Sequence, residues 1–219
     1  MRILITGTSK GIGKAIALRF LSEGHDVFGF DRLDSTISND NYAHFKLDVR
    51  NSNDFPEIGD LDIIINNAGT QNEDDININL RSVINITEKY AFQRAIKSVL
   101  MIGSASAHTG AEFPEYAASK GGLLAYTKNV AIRLANLYQA TCNSLDPGGV
   151  LTELNQPVID DENLWNEIME LTPLKRWATP EEIADWAYFL TVINKFCTAQ
   201  NILVDGGEAA AFKFIWKAE

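Results

Sequence analysis

The sequence predicts an α/β protein with a doubly wound parallel sheet in three α/β/α layers, folded as a single domain over residues 1–219. Three observations predict this architecture. Short apolar runs alternate with helical patterns from one end of the chain to the other, as in right-handed βαβ crossovers. The runs are short and strongly apolar, which is typical of strands buried on both faces. No linker, repeat or low-complexity stretch divides the chain, whose length suits one domain.

The individual elements follow from the same pattern. Seven runs are predicted to be strands, at residues 3–5, 27–30, 45–47, 63–65, 99–102, 142–145 and 202–204. Helices are predicted at residues 12–22, 76–96, 115–136 and 180–193. The crossovers at 32–44 and 51–61 are short or broken by Pro and Gly, so we expect at most one short turn in each.

Charge and composition exclude several classes of partner. The formal net charge is −10 and no basic cluster is present, which argues against a nucleic-acid-binding protein. No apolar run is long enough to cross a bilayer and the N-terminus has no signal-peptide pattern, so we expect a cytoplasmic protein without membrane contact. The two cysteines, Cys142 and Cys197, form no C-x-x-C motif, and we expect both to be reduced and no metal to be bound.

A glycine-rich loop follows the first strand. It has the sequence T-G-T-S-K-G-I-G over residues 6–13 and runs directly into a helical pattern. Glycines let a backbone approach a ligand closely, and a helix N-terminus presents free N–H groups to a pyrophosphate. The loop is not a P-loop, because Gly13-Lys14 is followed by Ala15 where that motif needs Ser or Thr. It is also not the common dinucleotide motif G-x-G-x-x-G, because Ile16 stands in place of the third glycine. The loop predicts a dinucleotide site, with a tight turn that binds no nucleotide as the alternative.

The second predicted strand is followed by Asp31, 18 residues after Gly13. A carboxylate at this point can accept both ribose hydroxyls of NAD and repels the 2′-phosphate of NADP. Lys10 and Arg32 lie close in sequence, and their charges could instead pair with that phosphate. We favour NAD as the cofactor and keep NADP as the alternative. A turn or helix cap is the structural alternative for Asp31.

Tyr116 and Lys120 stand at i and i+4 on a helical pattern, so their side chains lie on one face, one turn apart. A tyrosine has a pKa of about 10 and is a poor base at neutral pH. We expect a lysine ammonium about 4 Å away to lower that pKa toward neutrality, where general acid–base catalysis is most efficient. Ser104 follows a predicted strand and precedes Tyr116 by 12 residues, so the chain can leave the sheet and return to the same end.

These motifs, in this order, resemble those of the short-chain dehydrogenase/reductase family. The family's T-G-x-x-x-G-x-G loop, N-N-A-G turn and Y-x-x-x-K pair stand at residues 6–13, 66–69 and 116–120. Its P-G-x-x-x-T segment, closing helix and last strand match residues 147–152, 180–184 and 204–207. The resemblance therefore covers about residues 2–207. The chain departs from the family in its shorter crossovers after Asp31 and before Val99, and at 198–200, where T-A-Q replaces the family's T-G-Q.

The resemblance implies a Rossmann-type fold and an NAD(P)-dependent oxidoreductase that interconverts a carbonyl and a secondary alcohol by hydride transfer. The nearest named activity by overall likeness is that of a 3-oxoacyl carrier-protein reductase. The implied cofactor-binding residues are Gly7, Ser9, Lys10, Gly11, Ile12, Gly13, Asp31, Arg32, Asp48, Val49, Asn67, Ala68, Gly69, Tyr116, Lys120, Pro147, Gly148, Val150 and Thr152.

The resemblance also implies catalytic roles for four residues. Tyr116 is the general acid/base, while Lys120 tunes it and grips the ribose. Ser104 holds the substrate oxygen, with Ser106 as the rival serine. Asn79 helps to hold a water in a proton relay, and its neighbour at position 77 could be confused with it.

Substrate and assembly are expected to depend on the remaining segments. Residues 106–114 and 151–172 are expected to contact a small carbonyl or alcohol substrate, and the acidic run in the second does not favour a strongly anionic one. A homodimer or homotetramer through the 115–136 helix is implied by the resemblance. The tail at 208–219 adds four large apolar side chains, expected in an interface, over the substrate mouth or against its own domain. The alternative function is an NAD(P)-binding sensor without turnover, which would not need the four catalytic residues.

Overall fold

The computed structural model describes residues 1–111 and 113–211. Its strands are β1 (Arg2–Thr6), β2 (Asp26–Asp31), β3 (Tyr42–Lys46), β4 (Ile63–Asn66), β5 (Ser98–Ile102), β6 (Thr141–Pro147) and β7 (Asn201–Val204). They form one sheet in the order β3-β2-β1-β4-β5-β6-β7, with every neighbouring pair parallel. The strand order reverses between β1 and β4, which is the arrangement of a doubly wound Rossmann-type sheet. The predicted fold class is confirmed.

Helices cover both faces of the sheet. They are α1 (Gly11–Ser22), α2 (Ser82–Tyr90), α3 (Ser106–Thr109), α4 (Pro114–Tyr138), α5 (Gln156–Ile159), α6 (Glu162–Leu171) and α7 (Pro180–Tyr188). Two π-helical segments, Ile76–Arg81 and Phe189–Ile193, precede α2 and follow α7. Short 3₁₀ turns lie at Ser52–Asp54, Glu153–Asn155 and Glu208–Ala210. In the described part of the chain, no helix is long and apolar enough to cross a membrane.

Alternate residues of the strands build two separate cores. On one face, Leu4 of β1 packs with the buried side chains of α2 and α4. On the other face, Ile3 and Ile5 pack with those of α1 and α7, for example Phe20 and Ile183. Strands that are buried on both faces have no solvent-facing positions, which explains why the sequence shows continuous apolar runs.

Two predicted helices differ from the observed ones. The helix predicted at 76–96 begins as the π-helical segment and ends at Tyr90. Gln93 explains this end, because its side chain donates to the carbonyl of Tyr90 and accepts from the backbone N–H of Leu61. These bonds turn the chain toward β5. The helix predicted at 180–193 becomes π-helical after Tyr188.

The crossovers at 32–44 and 51–61 contain at most one short turn each, as expected. The segment before α7 contains more helix than expected. Residues 32–41 contain no helix, and residues 51–61 contain one 3₁₀ turn. The sequence did not predict the short helices α3, α5 and α6. Glu112 and the apolar tail residues Phe212, Phe214, Ile215 and Trp216 lie outside the described residues.

Candidate active site

A cavity of about 780 Å³ opens at the carboxyl ends of the parallel strands. Its lining includes Gly7 after β1, Asp31 at the end of β2, Asn67 after β4, Ser104 after β5 and Pro147 at the end of β6. Because the strand order reverses at β1 and β4, the loops that follow these strands diverge and leave a crevice between them. The cavity therefore occupies the position at which doubly wound sheets bind ligands.

The glycine-rich loop forms the floor of the cavity. Gly7 has a φ of +75°, which disfavours any residue with a Cβ. A Cβ on Gly13 would lie 2.0 Å from the carbonyl oxygen of Gly7, so α1 packs directly against the loop. Lys10, the N-cap of α1, makes no side-chain capping bond, and the first turn holds no acidic residue. This N-terminus, uncapped and without an acidic residue, fits the pyrophosphate of a dinucleotide.

Asp31 is fixed at the rim by two backbone donors. Its Oδ2 accepts from the N–H of Ser9 and its Oδ1 from the N–H of Leu33, each at 2.9 Å. Ser9 is absent from the cavity lining, so it acts here through Asp31. Lys10 and Arg32 do line the cavity, are exposed, and form no ion pair with a described residue. Both the predicted carboxylate and the competing cations are therefore present at the expected ribose end.

Asp48, one of the residues expected to bind the cofactor, is engaged by a residue that the sequence did not predict. Arg50 Nη2 lies 2.6 Å from Asp48 Oδ2, and its Nη1 lies 3.3 Å from Asp74 Oδ2. The hydrogen bonds from this guanidinium hold the pKa of the Asp48 carboxyl below its usual range. Arg50 thus joins the loop after β3 to the segment before α2, and nothing in its sequence position indicated this.

The N-N-A-G turn is held by the first strand. Thr6 Oγ1 accepts from the N–H groups of Asn67 and Ala68, each at 2.9 Å, and Asn67 Nδ2 donates to the carbonyl of Thr6 at 2.9 Å. Asn66 is buried, and its Nδ2 donates to Thr87 Oγ1 at 3.0 Å. These bonds fix the wall of the cavity that packs against the glycine-rich loop, where Asn67 Nδ2 also lies 3.3 Å from the carbonyl oxygen of Gly7.

The predicted serine, tyrosine and lysine meet in the same cavity. Ser104 is 8% exposed, and its Oγ accepts from the N–H of Ser106 at 3.1 Å. Lys120 is buried; its Nζ donates to the carbonyl of Ile102 at 3.0 Å and lies 5.7 Å from the ring centroid of Tyr116. Tyr116 and Lys120 share one face of α4, as their spacing predicts. Ser106 also lines the cavity, so this location does not decide which of the two serines binds the substrate oxygen.

Asn79 is fully buried in the π-helical segment and does not line the cavity. Its Oδ1 accepts from the N–H of Thr70 at 2.8 Å, and its Nδ2 donates to the carbonyl of Thr70 at 2.9 Å and to Ser119 Oγ at 3.2 Å. Ser119 in turn donates to the carbonyl of Tyr116 at 2.7 Å. Asn79 therefore links the loop after β4 to the helix that carries Tyr116. Single π-helical turns of this kind are frequent at functional sites.

Apolar side chains cover the end of the cavity beyond Ser104. Four come from residues 151–172, the segment predicted to contact the substrate, and the fifth is Trp177, which lies beyond it. The four are Leu154, Val158, Ile168 and Leu171. Sequence reasoning missed Trp177, which packs on Trp165 with ring centroids 5.0 Å apart. Its ring occupies the space that a Cβ on Gly149 would take. The second glycine of Gly148-Gly149 was therefore the one feature of the sequence that indicated a close contact at this point.

All the predicted site residues except Ser9 and Asn79 line this one cavity. Lining residues that no prediction named include Arg50, Glu73 and Trp177, and Glu208, the first residue of the predicted tail, also lines the cavity. Within residues 1–111 and 113–211, no three His, Cys, Asp or Glu side chains are grouped to hold a metal ion.

Comparison with known proteins decides the family. Residues 7–208 match the family model described as Enoyl-(Acyl carrier protein) reductase. This chain belongs to the short-chain dehydrogenase/reductase family. A curated relative, the 3-oxoacyl-[acyl-carrier-protein] reductase of Buchnera aphidicola, is 30% identical over 235 residues, which cover 93% of this chain and 95% of the relative.

Solved structures of related proteins hold both kinds of nicotinamide cofactor. A 4-hydroxyisoleucine dehydrogenase complexed with NADH has a TM-score of 0.88 at 25% identity, covering 96% of this chain and 99% of that one. A putative 2-deoxy-D-gluconate 3-dehydrogenase from Agrobacterium tumefaciens with bound NADP has a TM-score of 0.87 at 25% identity, covering 96% of each chain. As a member of this family, the chain is an NAD(P)-dependent oxidoreductase that interconverts carbonyl and alcohol groups.

Proposed function

We propose that this chain reduces a ketone, or oxidises the matching secondary alcohol, with Tyr116 as the general acid/base. The observation that carries the proposal is that one cavity joins an uncapped helix N-terminus to Ser104, Tyr116 and Lys120. When bound, the nicotinamide supplies or accepts the hydride at the substrate carbon. Ser104 Oγ holds the substrate oxygen by a hydrogen bond. In reduction, the Tyr116 hydroxyl gives its proton to that oxygen, and in oxidation the phenolate takes it back.

Lys120 and Asn79 support this proton transfer without exchanging the substrate proton themselves. The Lys120 ammonium lies beside the Tyr116 ring, where it stabilises the phenolate and can bind the ribose. Its anchoring to the carbonyl of Ile102 keeps the ammonium at the end of β5. Asn79 holds the loop after β4 against α4, and any water of a proton relay would lie beside this link.

We infer that NAD is the preferred cofactor. Both oxygens of Asp31 are fixed by backbone N–H donors, and each keeps a lone pair for a ribose hydroxyl. A 2′-phosphate at the same place would face this immobile carboxylate, and unit charges about 4 Å apart interact by about 1–4 kcal/mol at effective dielectric constants between water and a protein surface. Lys10 and Arg32 oppose this preference but are exposed and unpaired with any described residue.

A paired fluorescence titration with NADH and NADPH tests the cofactor preference. The wild type is expected to bind NADH more tightly, and Asp31→Asn should shift the ratio of the two Kd values toward NADPH by about tenfold or more. Asp34→Asn is the matched control, because Asp34 is exposed, pairs with Lys46 and lies outside the cavity. Tighter binding of NADPH by the wild type would contradict the proposal and assign the dominant role to Lys10 and Arg32.

We further propose a neutral substrate with an apolar substituent. Beyond Ser104 the cavity has an apolar cover, and among the described lining residues Lys120 is the cation beside Ser104 and Tyr116. A 3-oxo ester or thioester has this character, and the Buchnera relative carries the name of an enzyme acting on such a group. The test compares reduction of ethyl 3-oxohexanoate with that of its free acid by NADH. A higher kcat/KM for the acid would contradict this proposal.

For the whole molecule, we propose one dinucleotide-binding and catalytic domain that assembles as a homodimer or homotetramer in the cytoplasm. Helix α4 exposes Ile132 and Leu137, which are 59% and 63% accessible. Large exposed apolar side chains on one helix favour a protein interface. Cys142 and Cys197 are both free thiols, which suits a reducing compartment.

A further inference from the structure

A histidine and a buried aspartate form a pair just outside the cavity lining. Asp146, the residue before Pro147 in β6, is fully buried, and its Oδ2 lies 2.7 Å from Nε2 of His108 on α3. Neither residue lines the cavity or takes part in the proposed chemistry. When Asp146 is ionised, its oxygens can only accept hydrogen bonds, and the bond is then donated by His108 Nε2.

The pair fastens α3 to the end of β6. Helix α3 begins two residues after Ser104, and the N–H of Ala105 donates to the carbonyl of Pro147 at 2.8 Å. The bond from His108 to Asp146 adds a second attachment three residues further on. The segment that carries Ser104 is therefore held to β6 at both of its ends, and Ser104 Oγ accepts from the first turn of the same helix.

Burying the carboxyl group of Asp146 at this place costs folding free energy, which argues for a role beyond packing. Its Oδ1 makes no hydrogen bond with a described residue and lies where a Cβ on Gly103 would be, at 1.9 Å. Burial raises the pKa of the Asp146 carboxyl, while His108, Ser144 and Lys120 act in the opposite direction. Because the folded pKa is raised, the carboxyl of Asp146 lowers stability as the pH rises from its unfolded pKa through its folded pKa. A buried polar pair of this kind is weak evidence for stabilisation, and a specific structural role is the better explanation.

We propose that His108 and Asp146 are positioning residues that hold Ser104 at the distance and angle needed to bind the substrate oxygen. The pair acts by clamping α3 against the end of β6, beside Pro147 in the cofactor segment. This inference rests on the proposed role of Ser104. Small displacements of a catalytic group lower the rate strongly, so loosening the clamp should act on kcat rather than on cofactor binding.

A double-mutant cycle between His108 and Ser104 tests the inference. His108→Ala should lower kcat for reduction of ethyl 3-oxohexanoate by about tenfold, with the Kd of NADH unchanged within about twofold. In a Ser104→Ala background the same change should lower kcat by less than about twofold, since the group being positioned is gone. His108→Gln, which can still donate to Asp146, should recover most of the activity.

The controls separate the positioning role from folding and from the proposed function. Asp62→Asn removes a charge that pairs with Lys97 at the opposite end of the sheet, and it should keep wild-type kcat. Equal losses from His108→Ala in both backgrounds, or no loss in either, would overturn the positioning role while the role of Ser104 stands. If Ser104→Ala alone keeps wild-type kcat, the proposed role of Ser104 is contradicted, and the positioning role of His108 and Asp146 is contradicted with it.

Discussion

Three glycines around the cavity each leave room for another group at the position of a Cβ. Gly13 admits the carbonyl of Gly7, Gly149 admits the ring of Trp177, and Gly103 admits the carboxylate of Asp146. Two of these groups belong to residues distant in sequence. A glycine at the end of a strand or in a loop of this fold therefore identifies a close approach, and the partner follows only from the structure.

Gly13→Ala should disable the nucleotide end of the site. Its Cβ would meet the Gly7 carbonyl at 2.0 Å, so the loop or α1 must move, at a cost of about 1–3 kcal/mol of folding free energy. Binding of NADH should weaken by about tenfold or more, as measured by fluorescence titration.

Gly121→Ala is the matched control for this substitution. A Cβ on Gly121 meets nothing within 4 Å, and alanine favours a helix over glycine by about 1 kcal/mol. This variant should be as stable as the wild type or more so, with NADH binding retained. Normal NADH binding by Gly13→Ala would show that the loop does not hold the pyrophosphate as described.

Helix α7 is joined to the substrate cover by its own N-terminal cap. Thr179 and Glu182 form a reciprocal capping box, and Glu182 also makes a two-point ion pair with Arg176, with both N–O distances at 2.7 Å. Trp177 lies between Arg176 and this cap. The cap therefore holds the base of the cover in place while α5 and α6, which have no fully buried side chains, remain at the surface.

The cap makes stability depend on pH in a defined direction. Hydrogen bonds from Arg176 lower the pKa of Glu182 to about 2. A lowered folded pKa contributes stability above the unfolded value of about 4.3, and this stability is lost as the pH falls toward the folded value. The thermal midpoint of Glu182→Gln should lie below that of the wild type at pH about 7, and the difference should shrink below pH about 4.

Glu181→Gln supplies the control, since Glu181 stands in the same first turn and is exposed. Its midpoint should follow that of the wild type more closely at every pH. A constant difference between Glu182→Gln and wild type across the acid range would contradict the assignment to this ion pair.

Elements were predictable from the sequence where local pattern and tertiary burial agree. The apolar runs predicted the central strands, such as β4, because these are buried on both faces, whereas the half-buried β3 begins at Tyr42, three residues before its predicted run. The end of α2 was not predictable, since it depends on Gln93 reaching Leu61. Helix α5 was missed because it is one turn long, whereas the apolar residues of α6 recur at helical spacing and did indicate a helix that was not predicted.

The site residues also divide into those that the sequence pattern predicted and those that depend on tertiary contacts. Residues joined by a fixed spacing, such as Tyr116 and Lys120 on one helix, could be assigned to one site from sequence alone. Arg50, Trp177 and the pair of His108 with Asp146 could not, because each acts through a contact between separate segments. The spacing of a motif reports which residues share an element, and contacts between elements need the fold.

The cavity residues lie at the carboxyl ends of the strands, and the C-terminal half of α4 exposes apolar side chains. Every motif residue of the cavity follows the carboxyl end of a strand or lies on α1 or α4. Helix α4 carries Tyr116 near its N-terminus and the exposed Ile132 and Leu137 toward its C-terminus. An interface through α4 would therefore stabilise the helix that positions the acid/base.

Ile132→Glu should dissociate the proposed oligomer. A charge in place of an exposed apolar side chain disfavours burial in an interface by about 1–3 kcal/mol or more. Light scattering coupled to size exclusion should show a smaller species than the wild type. Leu18→Glu is the control, because Leu18 is also exposed but lies on α1 and should leave the assembly intact. A monomeric wild type would contradict the proposed oligomer outright.

The most direct test of the central claim is a parallel measurement of turnover and NADH binding in Tyr116→Phe. The substitution keeps the ring beside Lys120 and removes the transferable proton. The account predicts that kcat for ethyl 3-oxohexanoate falls by about 100-fold or more, since general acid–base catalysis contributes about 10²–10⁴. The Kd of NADH should stay within about twofold of the wild type. Equal turnover in both proteins, or NADH binding without turnover of any ketone by the wild type, would contradict it.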